Sequence, residues 1–349
     1  MKECNVEWYV EEGQLSVHVF PIRTFIFSGD ADFEPMAPFI AGVCCLNVVL
    51  AQGKDMTVVF KSKQPLPSKF QRFAEDIRSV SSNRFNLTFE NTTEMILPKN
   101  ENIPVLLFSG GKDSLWQLNQ MKKDGDKFQV LFVSGSAIAG EYRQELKTVN
   151  SMNLECQINT IHIDYIDYED VSMVFKYRAR WKTIMLITLA RLFSSDIRIG
   201  VSPQELKSDA DNLMFYSERP KSIAIIGKML DCSRIARTPP EFKCFLETRG
   251  QHYRSCYSPD VVCDPKKDFI NSCWKCRVLH IYGKYADGKE LTSEESEYFH
   301  GEDWMGDDHE MMDRMLKLHT GNIPPMKIIQ FLSWRAGAPM EEIEKMCKD

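Results

Sequence analysis

The sequence has no stretch of the roughly 20 apolar residues that a membrane-spanning helix needs; its longest largely apolar run, Phe39 to Ala51, has the length of a buried helix. It has no excess of basic residues either. With 43 Lys and Arg against 49 Asp and Glu, a net charge of −6 argues against a generally basic nucleic-acid binder and leaves room only for a local basic groove. Glycine and proline are sparse, 18 and 16 of 349 residues, and form no repeat, which excludes collagen-like chains. An apolar content of 43% excludes general disorder. The N-terminus lacks the basic, apolar and small-residue regions of a secretory signal, so the expected location is the cytoplasm. In those reducing surroundings the eleven cysteines are expected as buried, metal-bound or reactive thiols, not as a disulfide framework.

What is present divides the chain into three. Residues 1–101 alternate strand and helix patterns, with strands at 15–20 and 57–60 and helices at 38–51 and 67–80, and read as a small α+β domain. Polar residues at 91–93 and 98–102 read as a linker. Residues 102–240 form an α/β series. The apolar strands 105–108, 130–133, 158–163 and 196–201 are separated by helices at 113–123, 140–152 and 171–193. Such alternation implies a parallel sheet covered on both faces, with ligands at the carboxyl ends of its strands. Residues 241–349 carry a cysteine cluster, then helices at 274–285, 311–318 and 324–334. Between Glu290 and Asp313 lie ten acidic residues and no Lys or Arg, a pattern expected of a solvated surface.

The sharpest motif is Ser109-Gly110-Gly111-Lys112-Asp113-Ser114, set between an apolar strand and a helix. Adjacent glycines let the backbone approach an anion, and the following helix N-terminus offers unpaired N–H groups to it. The two serines add hydroxyls and Lys112 adds a positive charge. The spacing is neither that of the Walker P-loop nor that of the dinucleotide fingerprint. Further on, Cys256, Cys263, Cys273 and Cys276 fall within 21 residues and include a C-x-x-C step. Four thiolates complete a tetrahedral Zn²⁺ site that would staple an irregular loop; a redox pair at Cys273 and Cys276 is the competing reading.

The six-residue turn resembles the pyrophosphate loop (PP-loop) of the N-type ATP pyrophosphatases, which cleave ATP to AMP and pyrophosphate on an adenine-nucleotide α-hydrolase-like fold. With Ser255-Cys256-Tyr257 and Cys273-Trp274-Lys275-Cys276-Arg277, the chain resembles 7-cyano-7-deazaguanine synthase (QueC) over about residues 103 to 285. That resemblance implies a PP-loop parallel-sheet domain flanked by a small N-terminal α+β domain and a zinc-stapled helical C-terminal region. It implies that Ser109, Gly110, Gly111, Lys112, Asp113 and Ser114 hold ATP, with Asp113 assisting Mg²⁺. Lys112, Asp113 and Arg180 are then the expected catalytic residues. Looser matches are Arg178 and Arg180 opening an apolar helix, Ile199-Gly200-Val201 ending a strand, and Asp209 or Asp211 beyond it.

The chain departs from the family at Lys112, where Gln or Leu is usual, at Trp181 in place of an asparagine, and in the spacing of its first three cysteines. Its N-terminal and C-terminal extensions are similar to those of QueC-like proteins of anti-phage defence systems, including the QatABCD and type IV CBASS operons. The implied reaction is adenylation of the carboxylate of 7-carboxy-7-deazaguanine, a small deazapurine, followed by condensation with an amine. Ammonia would give the amide or nitrile; a protein amine would give a conjugate, with a protein substrate or defence-complex partner docking on the extension. The resemblance also implies a homodimer. A tRNA thiolase, a sulfonucleotide reductase and a non-catalytic nucleotide-sensing subunit remain as alternatives.

Other residues stay open at this level. His162 and Asp164 share one face of a strand, which fits either a half-exposed surface or a catalytic pair. Arg234, Arg237, Arg249 and Arg254 are candidate carboxylate clamps, since a guanidinium donates two parallel hydrogen bonds to a carboxylate.

Overall fold

The computed structural model describes residues 2–50, 56–80, 85–98, 103–125, 127–135, 156–168, 175–201, 221–238 and 289–300, with isolated positions between 244 and 284. The chain begins with an antiparallel meander of β1 (Lys2–Glu11), β2 (Gln14–Phe20) and β3 (Arg23–Gly29). Helix α1 (Ala37–Leu50) follows, and its Phe39, Ile40, Val43, Cys44, Leu46 and Val49 are all buried. A helix so apolar around its circumference must be covered on more than one side. Strand β4 (Met56–Pro67) then leads to α2 (Lys69–Ser79), whose Phe70, Phe73, Ala74 and Ile77 recur at helical spacing and are buried together. Strand β5 (Phe85–Thr93) alternates buried Phe85, Leu87 and Phe89 with exposed Asn86, Thr88 and Glu90. The polar residues 91–93, expected in a linker, instead finish this strand. Thr92 and Thr93 pair with Leu66 and Pro67, so ladder hydrogen bonds override their turn propensity.

The second half runs β6 (Val105–Leu107), α3 (Lys112–Asp124), β7 (Gln129–Ser134), β8 (Gln157–Asp167), α4 (Phe175–Ala190), β9 (Asp196–Ile199), α5 (residues 221–229) and β10 (Arg234–Arg237). The bounds of β6, α3, β7, α4 and β9 lie close to the expected ones, β8 runs four residues past its expected end, and α5 and β10 were not expected. The expected helix at 140–152 and those at 311–318 and 324–334 lie outside the described residues. A short pair, β11 (Tyr253–Arg254) and β12 (Val262–Cys263), and helix α6 (Ser293–His300) follow.

All ten longer strands form one sheet in the order β10-β9-β6-β7-β8-β3-β2-β1-β4-β5. Strands β10, β9, β6, β7 and β8 are mutually parallel, and the chain order reverses between β6 and β9. These five strands form a doubly wound α/β sheet, a type whose ligands bind in the crevice where the order reverses. Leu115, Leu118 and Met121 of α3 pack with Leu106, Phe108, Val130 and Phe132 on one face. Helices α4 and α5 pack on the other, in a core shared with α1, α2 and the N-terminal strands. The boundary expected near residue 101 therefore separates two stretches of one sheet with a common core.

The seam between the halves is the antiparallel pairing of β3 with β8. Arg23, 1% exposed, sits in it. It pairs with Asp167, donates from Nη1 to Asn47 Oδ1 of α1 at 2.8 Å, and lies 4.1 Å over the Tyr165 ring. A buried guanidinium without such partners would carry a large desolvation cost. Trp181 of α4 closes the seam from the helical side, fully buried, with its indole N–H donating to the Val43 carbonyl at 2.9 Å and its ring 5.6 Å from Phe25. Among the described residues no helix is long and apolar enough to cross a membrane.

Candidate functional site

Strand β6 is three residues long and buried, and ends at the chain-order reversal. The six-residue glycine turn begins two residues beyond it. Gly110 adopts a left-handed φ of +71°, which a side chain would disfavour, and Gly111 is extended at the N-cap of α3. No side chain caps that helix. The N-cap residue is a glycine, so no N-cap Ser, Thr or Asp oxygen competes with an external anion for the leading N–H groups. Leu115 N–H donates to the Gly111 carbonyl at 2.9 Å and closes the first helical bond.

The serines brace the turn. Buried Ser114 donates from Oγ to the Gly111 carbonyl at 2.9 Å and accepts the Ser109 N–H at 3.3 Å, while the two hydroxyl oxygens lie 3.4 Å apart. Ser109 itself is exposed at the rim. From the neighbouring strand, Gly200 follows β9 so closely that a Cβ there would lie 3.0 Å from the Ser114 nitrogen and 3.3 Å from the Asp113 Cβ. That contact sets the carboxyl end of β9 against the first turn of α3, and it explains a glycine that the sequence marked only by its neighbours.

Of the expected catalytic residues, Lys112 opens α3 and Asp113 lies half-buried in its first turn. The Lys112 side chain lies outside the description. Arg180 stands in the second turn of α4, on the opposite face of the sheet from α3. Only its backbone is described. Because α4 follows β8, its N-terminus also rises from the carboxyl edge. The six turn residues and Gly200 are thus brought together, and Arg180 is described only by its backbone position in α4. The residue after it, Trp181, ties α4 to α1 through its bond to the Val43 carbonyl.

Cys256, Cys273 and Cys276 lie outside the described residues, and Cys263 is seen only as backbone in β12, opposite Tyr253. Among the described residues no group of three or more His, Cys, Asp or Glu is placed to hold a metal ion. Near this region the acidic stretch is not wholly a solvated face. Glu295, 4% exposed, accepts from Lys284 Nζ at 2.5 Å, from the Thr292 N–H at 2.7 Å, and pairs with His280 Nε2 at 2.7 Å. The Thr292 hydroxyl oxygen in turn accepts the Glu295 N–H at 3.2 Å, which makes a capping box for α6. Burial pushes the Glu295 carboxyl up, but the bonds from Lys284, Thr292 and His280 outweigh it and hold the pKa down to about 2.

Outside the turn, His162 and Asp164 do share a face of β8 and touch, Nε2 to Oδ2 at 3.0 Å. The ring's other nitrogen, Nδ1, meets the buried Ser134 hydroxyl at 2.9 Å across the β7–β8 ladder. Ser134 escaped the sequence reading because its one signal, a serine and glycine closing an apolar strand, is weak. Arg234 and Arg237 are exposed at the two ends of the edge strand β10, Arg249 lies outside the described residues, and Arg254 is seen only as backbone in β11. Burial pushes the Cys44 and Cys45 thiols well up, so they are core residues and not nucleophiles. No protein-family model, curated protein or solved structure matches the chain.

Proposed function

We propose that the chain is a QueC-like, ATP-dependent carbon–nitrogen ligase that adenylates a deazapurine carboxylate such as 7-carboxy-7-deazaguanine and passes the acyl group to an amine. The observation that carries this reading is the uncapped N-terminus of α3 behind Gly110 and Gly111, at the chain-order reversal of a parallel sheet. Backbone N–H groups fixed in that position stabilise charge that accumulates on a departing pyrophosphate, and they need no reorganisation to do so.

In this reading Ser109 to Ser114 cradle the β- and γ-phosphates, with Lys112 adding a positive charge. The donor set fits a metal-bound nucleotide, since Asp113 stands beside the anion-binding N–H groups as the one carboxylate of the turn. A Mg²⁺ bound there with the phosphates supplies further neutralisation of the leaving group. The substrate carboxylate attacks the α-phosphorus, pyrophosphate leaves, and the acyl adenylate then accepts the amine, ammonia or a protein amine, with release of AMP. Cys256, Cys263, Cys273 and Cys276 hold a structural Zn²⁺ in the same proposal, and the N-terminal strands offer the surface for a protein partner or a second copy.

The test is pyrophosphate release from Mg-ATP in the presence of the carboxylate. Lys112→Ala and Asp113→Ala should each lower it at least tenfold while leaving the thermal midpoint within a few degrees. Equal loss of release and of stability would make the turn structural.

A further inference from the structure

Among the described residues strand β5 ends the sheet, with β4 along one side of it. A strand in that position shows a row of main-chain N–H and C=O groups to any other chain, and native sheets blunt such edges with lysine, proline, bulges or a covering element. From Phe85 to Thr93 the strand has no proline, lysine or arginine, and its one charged residue is Glu90. Helix α2 supplies a cover instead.

The Gln71 side chain of α2 takes two main-chain groups of β5. Its Nε2 donates to the Leu87 carbonyl at 3.0 Å, and its Oε1 accepts the Phe89 N–H at 3.3 Å. Successive residues of a strand turn their main-chain groups to alternate sides, so groups two residues apart point the same way. Since the Phe89 N–H reaches α2, both point away from β4. Gln71 Nε2 also donates to Glu75 Oε1, one turn along the helix, at 3.2 Å. Two acceptors meet the nitrogen and one donor meets the oxygen, so the amide fits in one orientation only. Phe70 and Phe73 on either side of Gln71 are buried, and Phe70 meets the Phe89 ring edge-on with centroids 6.2 Å apart, which sets the helix against the strand. Near the start of β5, Arg78, two turns further along α2, donates to Asn86 Oδ1.

A carbonyl and an N–H two residues apart are the pair that an added strand uses at the residue between them, here Thr88. Two copies of β5 related by a two-fold axis at Thr88 would exchange those bonds in both directions, Leu87 C=O to Phe89 N–H, and would line up Phe85, Leu87 and Phe89 of each copy on one face. We propose that β5 is a strand-pairing surface for a second copy of this chain, held shut by Gln71. The glutamine amide stands in for one residue of the second strand. With it in place the edge is satisfied from within the chain; with it withdrawn, the sheet can continue into another copy.

The test places a cysteine at the two-fold position in the full-length protein. Residues that face each other as Thr88 would face its copy bring their Cα atoms to about 4.5 Å, within the span of a disulfide, and Thr88 is exposed. After mild oxidation, peptide mass spectrometry reads the disulfide that joins position 88 of two chains. Thr88→Cys alone should give little of it. Because two hydrogen bonds to Gln71 no longer compete, Gln71→Ala with Thr88→Cys should raise the yield by about tenfold or more, increasingly so at higher protein concentration. Gln71→Glu with Thr88→Cys should do the same, since it keeps the side-chain length but sets a carboxylate against the Leu87 carbonyl. In the wild-type chain the Phe89 N–H should exchange with solvent about tenfold more slowly than in Gln71→Ala diluted to the monomer.

Equal yields with and without Gln71 overturn the proposal, as does absence of the linkage in variants that unfold cooperatively on heating. A Phe89 N–H that exchanges as freely in the wild-type chain as in the unfolded one also overturns it, whether or not the variants fold.

Discussion

Replacing Trp181 by alanine should weaken both halves of the sheet at once. The indole is fully buried at the seam, its ring packs on Phe25 of β3, and its N–H reaches the Val43 carbonyl of α1. Truncating a buried Trp to Ala costs about 3–5 kcal/mol, of which the lost hydrogen bond accounts for about 1. If the strands on either side of residue 101 fold as one unit, the whole of that loss appears in the unfolding of each. Two reporters lie on opposite sides of the seam, Trp8 in β1 and Trp116 in α3. In versions that keep only one of them, with the other tryptophans changed to Phe, urea titration should give the same midpoint from either. Trp181→Ala, compared with Trp181→Phe, should lower both midpoints together. Separate midpoints for the two reporters, or a loss below about 1 kcal/mol, would refute a common core.

Gly200→Ala places a methyl group 3.0 Å from the Ser114 nitrogen, so the first turn of α3 must shift by a few tenths of an ångström; overpacking of this kind costs about 1–3 kcal/mol. ATP affinity, read by calorimetry, should fall more than thermal stability does, and unchanged affinity would remove β9 from the site. The Glu295 carboxyl, held down to about 2, contributes stability that is complete above the ordinary carboxylate range and is lost as pH falls from about 4.5 toward 2. Glu295→Gln should abolish that acid dependence at α6, measured by hydrogen exchange at residues 293–300, and a loss confined to alkaline pH would contradict it. Elemental analysis should find about one zinc per chain, and a Cys273→Ser/Cys276→Ser variant that retained its metal would sink the cysteine site.

Much of the second half was legible from the residues. Unbroken apolar strands separated by helices, with Ser109 to Ser114 after the first of them, indicated a parallel sheet with a glycine turn at its carboxyl edge. The structure places that turn at the reversal of strand order, which no local pattern reveals. The seam was illegible for a definite reason. Strand β3 carries Arg23 on its buried face, so its alternation of apolar and polar residues is broken where it meets β8. Only Asp167, Asn47 and Tyr165, distant in sequence, make that arginine tolerable. Strand β5 was not among the expected strands, and its end reads as a turn because Thr92 and Thr93 look like turn residues until β4 is beside them. Ser134 needed its partner on β8 before its hydroxyl meant anything. Conversely, the shared face of His162 and Asp164 followed from spacing alone, since residues two apart on a strand share a face, and the structure adds their contact.

The central claim is tested most directly by mass spectrometry of the products formed from Mg-ATP and 7-carboxy-7-deazaguanine, with and without ammonium. The account predicts AMP and pyrophosphate, an acyl adenylate that accumulates without amine, and an amide or nitrile when ammonium is supplied. ATP left intact, or cleavage to ADP and phosphate, would contradict it.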